Sequence, residues 1–238
     1  MNNEICNPIN FFDENTEDFQ KSIRIKADKS PLGCQTAINI NLTLVTTGHY
    51  IHSQMQLLIQ PVTEELWPYL EKLFGKQGAC NGCWCMYWRI GAEYHKRNRS
   101  LNKADFHQII SSNRPAGLLA FVDEIPVGWC QLTPREDLPW LIKNGYGNFN
   151  NGSNVWCISC FYIKRGYRGK GITLALIRAS IDYAKKEGAD SLEAYPRKSP
   201  YSFTGNPSTF SRAGFKIAGE AKYGRSIALL KLKKHKPQ

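Results

Sequence analysis

A short run of glycines and basic side chains at residues 168–173 has the composition of an anion-binding loop. Gly169 and Gly171 lack a Cβ atom, so the backbone can approach a ligand closely, and Arg168 and Lys170 add positive charge. If a helix begins at this loop, its first backbone N–H groups have no partner inside the helix and can bind phosphate. The run therefore predicts a site for an anionic cofactor.

Two elements are needed to hold this loop in place. Residues 155–163 are rich in β-branched and aromatic side chains, which favours a buried strand. Leu174, Ile177 and Ile181 recur at spacings of three and four, which predicts an amphipathic helix that ends at Gly188. An ordinary strand–turn–helix with a surface Gly-Lys turn would show the same local pattern.

Two common phosphate-binding motifs are excluded by single residues. A P-loop requires Ser or Thr directly after its Gly-Lys pair, but Lys170 is followed by Gly171. A dinucleotide fingerprint requires a third glycine at the position of Leu174. The loop therefore belongs to another class of phosphate site.

The remaining pattern is Arg-x-x-Gly-x-(Gly/Ala), in which Arg168 and Gly171 fit and Thr173 takes the last position. It resembles the acetyl-CoA pyrophosphate loop of the GNAT superfamily of N-acetyltransferases. Residues 163–172 are similar to the strand-to-helix junction of that superfamily. The segment Cys-Trp-Cys-Met-Tyr-Trp-Arg at residues 83–89 is similar to a bacterial branch of it.

The resemblance implies a GNAT acyl-CoA N-acyltransferase fold over residues 55–238. This is a mixed α/β domain with a central, mostly antiparallel sheet flanked by helices. Local patterns predict the same order of elements. They are a strand at 56–60, a helix at 63–74, a helix at 103–112, a hairpin at 117–132, the strand and helix around the loop, a strand at 191–195, a helix at 207–213 and a final antiparallel pair at 215–218 and 226–232.

Residues 1–54 differ from the rest because they are net acidic, polar and without helical periodicity. They predict an N-terminal extension, either an appendage or a partly disordered segment. Met55 opens the part that resembles a GNAT domain, and it is a candidate alternative start.

Composition narrows the class of protein further. The 238 residues are 42% hydrophobic, without a run long enough to span a membrane or a secretory signal, which predicts a cytoplasmic protein with eight reduced cysteines. The net charge of +11 suits a polyanionic cofactor and would also suit nucleic acid. Because the basic residues are scattered, we expect no nucleic-acid partner.

The resemblance assigns cofactor roles mainly to backbone groups. Phe161, Tyr162 and Ile163 are expected to hold the pantetheine arm, and an N–H near Phe161 or Tyr162 to polarise the thioester carbonyl. The loop is expected to hold the pyrophosphate through Arg168, Gly169, Lys170, Gly171, Ile172 and Thr173.

The catalytic acid of many GNAT enzymes is a Tyr at the position that Phe210 takes here, and Phe210 has no proton to give. Tyr195, Tyr201, Ser208 and a cysteine thiol are candidate substitutes. Glu193 is the first candidate base because it alternates with Tyr195 along one strand face. Glu136 is the second candidate, and the alternative role for Glu193 is a solvent-facing strand carboxylate or a salt-bridge partner.

Three interpretations of Cys80, Cys83 and Cys85 remain open. The spacing Cys-x-x-Cys-x-Cys would suit zinc with a fourth ligand, a redox or acyl-carrying thiol, or buried thiols within an aromatic cluster. We favour the buried cluster and expect no metal. Cys157 and Cys160 are not expected to pair, because residues three apart in a regular strand face opposite sides.

The segment after the first helix lines the acceptor side in GNAT folds, so Trp84, Tyr87, Trp88 and Arg89 are expected to shape the substrate pocket. Arg89 could pair with a substrate carboxylate or, alternatively, with a structural partner.

The sequence thus predicts an acetyl-CoA-dependent N-acetyltransferase that acts directly on a small-molecule amine. We expect no membrane partner and a monomer or homodimer. The main alternative is a regulatory module of GNAT fold that binds acyl-CoA or a metal without turnover.

Overall fold

The computed structural model describes residues 25–29, 36–46, 49–149, 152–199 and 202–232. Nine strands of this part of the chain form one sheet, in the spatial order β1-β2-β3-β4-β5-β6-β7-β9-β8. The strands are β1 (Ile25–Lys29), β2 (Thr36–Thr46), β3 (His49–Pro61), β4 (Leu118–Val122), β5 (Ile125–Pro134), β6 (Val155–Ile163), β7 (Ser191–Ala194), β8 (Lys216–Ala221) and β9 (Arg225–Lys231).

The helices lie on both faces of the sheet. They are α1 (Trp67–Phe74), α2 (Tyr87–Ile90), α3 (Glu93–Lys96), α4 (Arg99–Ser111), α5 (Pro139–Lys143), α6 (Ile172–Lys186) and α7 (Pro207–Arg212). Neighbouring strands are antiparallel except β6 and β7, which are parallel because α6 crosses over between them. The mixed, mostly antiparallel sheet confirms the predicted fold class.

Side chains alternate along each strand between the two faces of the sheet, so the apolar core is divided between these faces. On the α6 face, Leu132, Ile158 and Leu192 pack with Leu176 and Ile177 of the helix. Complete burial of each such side chain contributes about 1.5–3 kcal/mol to folding. The amphipathic pattern predicted for α6 is therefore what fixes this helix against the sheet.

The opposite face, here called the α2 face, carries two further clusters. Around α1 and α4 the core is aromatic, with Trp67, Phe74, Phe106 and Trp129 in contact. Over β6 and β7 a separate cluster contains Trp88, Leu138, Leu141, Tyr146, Cys157, Tyr195 and Ile227. The second cluster includes two of the predicted site residues.

The predicted hairpin, α6 and α7 are confirmed, and Gly75 ends α1 with a positive φ of 60°. The strand predicted at residues 56–60 belongs to the longer β3, which begins at His49. Residues 25–29 and 36–46, within the predicted extension, are strands that continue the sheet. The N-terminal extension over residues 1–54 and its division from the rest of the chain stay a prediction.

The short helices α2, α3 and α5 have four or five residues each and were not predicted, because such lengths show no periodicity. Among the described residues, no helix has the length and apolar character needed to cross a membrane.

Candidate active site

The parallel strands β6 and β7 pair over only part of their length. Residues 155–158 of β6 lie beside residues 191–194 of β7, and β6 then continues alone on this side to Ile163. The unpaired edge at residues 159–163 is here called the β6 gap. It exposes backbone groups directly upstream of the glycine-containing loop.

A single-residue bulge at Ser159 opens the gap. Gln131 of β5 pairs with Cys160, whereas the next residue, Leu132, pairs with Ile158, so Ser159 is the extra residue. A bulge bends its strand and redirects the following side chains. It therefore places Cys157 and Cys160 on the same face, against the expectation for a regular strand, although the two thiols belong to different clusters.

The backbone at the β6 gap already has two partners within the chain. The Phe161 N–H donates to the Phe203 carbonyl over 2.6 Å, and the Ile163 carbonyl accepts from Arg168 Nε over 3.0 Å. Because N–H groups alternate between the two sides of a strand, the Ile163 N–H lies on the same edge as that of Phe161, while Tyr162 faces β5. A ligand that pairs with this edge must replace the Phe203 carbonyl.

The predicted anion-binding loop lies at the N-terminus of α6. Gly169 and Gly171 have φ values of 72° and 80°, in the region that favours glycine, and Gly171 is the N-cap. The first helical amide bond is donated by Ala175 to the Gly171 carbonyl, and no side chain caps the helix. The N–H groups of Ile172 and Thr173 therefore have no helical partner and can bind an anion.

On the α2 face, buried polar groups connect the bulge with α2. Ser159 Oγ donates to Gln131 Oε1 over 2.8 Å, and Gln131 Nε2 donates to the Cys85 carbonyl over 2.9 Å. Trp88 Nε1 donates to the Ser159 carbonyl over 3.0 Å. Buried polar groups need such partners, so these bonds fix α2 over the β6 gap.

Rings surround Trp88 on the acceptor side. Tyr87 and Tyr146 make edge contacts with Trp88 at centroid distances of 4.8 and 5.5 Å, and the Arg225 guanidinium lies 5.2 Å from its ring. Tyr87 and Trp88 thus lie in one aromatic cluster. Trp84 packs in the aromatic core between Trp67 and Phe74 and has a positive φ of 44°. Its ring therefore belongs to the cluster around α1 and α4.

Glu193 and Tyr195 are adjacent and buried on the α2 face. Glu193 is 0% exposed, and Arg135 Nη1 donates to its Oε2 over 3.3 Å, while Oε1 has no hydrogen-bond partner within the described ranges. Burial raises the pKa of the Glu193 carboxyl, and Arg135 opposes this shift. The Tyr195 hydroxyl accepts from the Gly147 N–H over 2.5 Å, and burial together with the Glu193 charge raises the pKa of this phenol.

The residues that neighbour this pair were missed by sequence reasoning. Arg135 and Asp137 lie in a 3-10 turn after β5, and Tyr146 and Gly147 lie in the loop after α5. Arg135 Nη1 also donates to the Gly147 carbonyl over 2.6 Å. Nothing in the local pattern of residues 135–147 indicates that they fold back over β7.

Arg89 is buried, with 7% of its surface exposed. Its Nη1 donates to the Asp137 carbonyl over 2.8 Å, whereas Nε and Nη2 have no hydrogen-bond partner among the described residues. Burial lowers the pKa of this guanidinium, and the Asp137 charge opposes the shift.

The clustered cysteines behave as buried thiols with one exception. Cys83, Cys85, Cys130, Cys157 and Cys160 are free, whereas Cys80 is disulfide-bonded, which corrects the prediction that all eight are reduced. Burial raises the pKa of Cys83 to about 12, and a hydrogen bond to Cys160 together with burial raises that of Cys85. The described residues contain no group of three side chains that could hold a metal.

Three further positions bear on proton transfer. Phe210 is completely buried between Phe161 and Phe215. Ser208 Oγ donates to Asn206 Oδ1 at the start of α7, and Glu136 is exposed. Tyr201 lies outside the described residues.

The comparisons with known proteins agree with this architecture. Residues 82–199 match the sequence model described as "Acetyltransferase (GNAT) family". No curated protein sequence matches the chain. Many solved structures match the chain, and two of them are described here. The GNAT domain of PAT from S. lividans is 14% identical with a TM-score of 0.51, and the match covers 86% of this chain and 100% of that one.

The other is an uncharacterized protein from Bacillus halodurans, which is 12% identical with a TM-score of 0.50 over 75% of this chain and 85% of that one. At such identities the likeness concerns the fold alone. The family match includes the β6 gap and the loop before α6. The chain therefore belongs to the GNAT superfamily of acetyltransferases.

Proposed function

We propose that the protein transfers the acetyl group of acetyl-CoA directly to the amine of a small molecule in the cytoplasm. The observation that carries this proposal is the continuity between the β6 gap and the uncapped N-terminus of α6. One chain segment thus offers strand-like backbone groups for an amide-containing arm and free N–H groups for a pyrophosphate. Those are the two parts of CoA that lie next to each other.

Donor binding would use mostly the main chain. The Ile163 N–H would pair with the pantetheine arm, and the N–H groups from Gly169 to Thr173 would hold the pyrophosphate. The Phe161 N–H becomes available to the thioester carbonyl only when Phe203 moves away, since the two are hydrogen-bonded. Arg168 and Lys170 lie at the same loop and add positive charge.

In the transfer itself, the neutral amine attacks the thioester carbonyl. A C–N bond forms, the C–S bond breaks, the amine loses a proton and the departing thiolate gains one. We assign Glu193 as the proton acceptor and Tyr195 as the proton donor. A raised carboxyl pKa suits a general base near neutral pH, and in the described part of the chain Oε1 is the oxygen without a hydrogen-bond partner. Tyr195 carries the hydroxyl that neighbours Glu193, and its oxygen accepts the Gly147 N–H.

The acceptor would bind between α2 and the loop after α5. Tyr87 is 39% exposed and continues the aromatic cluster of Trp88 and Tyr146 to the surface. Aromatic rings provide a large apolar contact area with defined orientation. A small amine with an apolar or planar part fits this lining.

An acceptor screen tests the proposal. Purified protein and acetyl-CoA are mixed with amino acids, polyamines, aminoglycosides and peptides, and free CoA is measured with a thiol reagent. We expect CoA release with at least one class of small amine, and calorimetry to show CoA binding. Absence of any heat with millimolar CoA would refute the proposal.

The same assay distinguishes direct transfer from an acyl-cysteine route. Cys160 lies on β6, where a thiol could attack the thioester. We expect Cys160→Ala to keep its activity, because the acetyl group passes directly to the amine. Loss of turnover with intact CoA binding would contradict direct transfer.

A regulatory module that binds acyl-CoA without turnover is the second candidate function. The observation that favours it is the apolar Phe210 at the usual acid position. CoA binding without release of thiol across the whole screen would support this candidate over catalysis.

A further inference from the structure

Arg89 is a buried cation whose hydrogen-bonding capacity is largely unused. Only Nη1 is bonded, to a neutral backbone carbonyl, while Nε and Nη2 have no hydrogen-bond partner among the described residues. The side chain is more than nine-tenths buried. A buried charge without full hydrogen bonding destabilises a protein, and this feature therefore points to a ligand.

The two free nitrogens define the shape of that ligand. Nε–H and Nη2–H lie along one edge of the planar guanidinium, and their parallel bonds match the two oxygens of a carboxylate. Nη1 on the opposite side is anchored to the Asp137 carbonyl, so the free edge has a fixed direction. A ligand that offers only one acceptor atom would not use both Nε–H and Nη2–H.

Asp137, the carboxylate whose charge acts on Arg89, has other hydrogen-bond and ion-pair partners. Asp137 Oδ2 accepts from Thr133 Oγ1 over 3.0 Å, and Oδ1 is paired with Arg114. The charge of Asp137 still favours the protonated guanidinium of Arg89, and Arg114 opposes it. Among the described residues, no carboxylate takes the free edge of Arg89, which is open to an anionic ligand.

Arg89 also lies beside the proposed reaction site. It follows Trp88 in α2, and Trp88 Nε1 is bonded to the carbonyl of the bulged residue Ser159. Cys85, whose carbonyl binds Gln131, is also close enough to Arg89 to influence its charge. An acceptor held at this edge would reach toward the β6 gap.

We propose that Arg89 binds the carboxylate of the acceptor, so that the substrate is an amine that also carries a carboxylate, such as an amino acid. This inference rests on the proposed acetyl transfer and adds the substrate class. Arg89 would act as a binding and specificity residue through two parallel charge-assisted hydrogen bonds.

Matched ligand pairs test the inference. Phenylalanine, β-alanine and 6-aminohexanoate are each compared with the corresponding carboxamide, which keeps the amine and removes the charge. Binding is measured by calorimetry with and without CoA, and turnover by thiol release from acetyl-CoA. At least one carboxylate is expected to bind roughly 10- to 100-fold more tightly than its amide, the range for charge-assisted hydrogen bonds.

Arg89→Gln is expected to abolish this preference for the carboxylate. Arg89→Lys is expected to retain only part of it, because lysine cannot form a bidentate contact with a carboxylate. Arg99→Gln is the matched control, since Arg99 is exposed and contacts Gln77. It should keep the preference of the unmodified protein. An equal preference in Arg89→Gln, or none within any pair, would overturn the inference.

Thermal unfolding separates a binding role from a structural one. Arg89→Met removes a buried charge with two unpartnered nitrogens, so Tm is expected to stay equal or rise. A large fall in Tm would show that Arg89 is structural and would overturn the inference. If CoA binds and no carboxylate does, the substrate class is wrong while the donor site stands. If CoA fails to bind, the proposed function is wrong.

Discussion

In β7, Leu192 and Ala194 face α6 and belong to the apolar core. Glu193 stands between them in the sequence, and its carboxylate faces the opposite side of the sheet. Strand alternation places it next to Tyr195, as the sequence predicted. Its ion pair with Arg135 does not decide between catalysis and structure, since a buried acid needs a partner in either role. Only the effect of its charge on the reaction can separate the two.

Glu193→Gln is expected to lower kcat by roughly 10²–10⁴-fold, the range for loss of a general base. In the unmodified protein, kcat/KM should fall as pH drops through the pKa of Glu193, which lies above 4.5. This fall of kcat/KM at low pH should be missing in Glu193→Gln. Glu136→Gln, at the exposed second candidate, is the control and should leave the pH profile unchanged. A lower Tm with an unchanged kcat would identify a structural carboxylate.

The same shift has a consequence for stability. Because burial raises the pKa of Glu193 in the folded protein, the folded state binds its proton more tightly than the unfolded chain does. Its contribution to stability therefore decreases as pH rises from the unfolded to the folded pKa.

At the scale of elements, strand β6, the loop and helix α6 form one continuous segment, which we propose as the CoA-binding unit. The shape of the loop depends on the backbone conformation of Gly171, which has a φ of 80° and is also the N-cap of α6. Side chains in this loop are expected to matter less than the positive φ. The nearby Gly166 lacks a positive φ, and a Cβ there would meet no atom within 4 Å.

Gly171→Ala is therefore expected to weaken CoA binding about tenfold, since the left-handed conformation costs a residue with a Cβ roughly 1–2 kcal/mol. Gly166→Ala is the matched control and should bind CoA like the unmodified protein. Calorimetric titration with CoA measures both. Equal affinities for the two variants would place the pyrophosphate elsewhere.

The segment at residues 202–206 is expected to change when CoA binds. The Phe203 carbonyl accepts the Phe161 N–H at the edge that the pantetheine arm would use. Displacement should speed amide hydrogen exchange in residues 202–206 and slow it in β6, with β4 unchanged as the internal reference. Greater protection of residues 202–206 would contradict the displacement.

At the scale of the whole molecule, the net charge of +11 admits both CoA and nucleic acid as partners. A ligand that binds only the folded state raises the free energy of unfolding by about 2.7 kcal/mol at a concentration of 100 times its Kd. CoA is expected to raise Tm accordingly. A DNA oligonucleotide should leave Tm unchanged at physiological salt, and DNA affinity that falls steeply with salt would favour the nucleic-acid interpretation instead.

The elements that the sequence predicted depend on residues close together in the chain. The features that it missed are short or depend on residues far apart in the chain. The hairpin turn at Asp123 and Glu124 and the helix after Gly171 follow from local patterns of turn residues and periodicity. The bulge at Ser159 leaves no such mark, because it depends on how β6 pairs with β5. This is why the expected orientation of Cys160 relative to Cys157 was wrong.

By itself, the sequence determined the GNAT fold and the position of the anion-binding loop, because both follow from short segments whose backbone preferences are local. Tertiary structure decided the environment of the side chains. It paired Glu193 with Arg135, placed Trp84 in the core and left one edge of Arg89 without a hydrogen-bond partner among the described residues. Burial and charge at a site depend on residues far apart in the chain, and only folding brings these together.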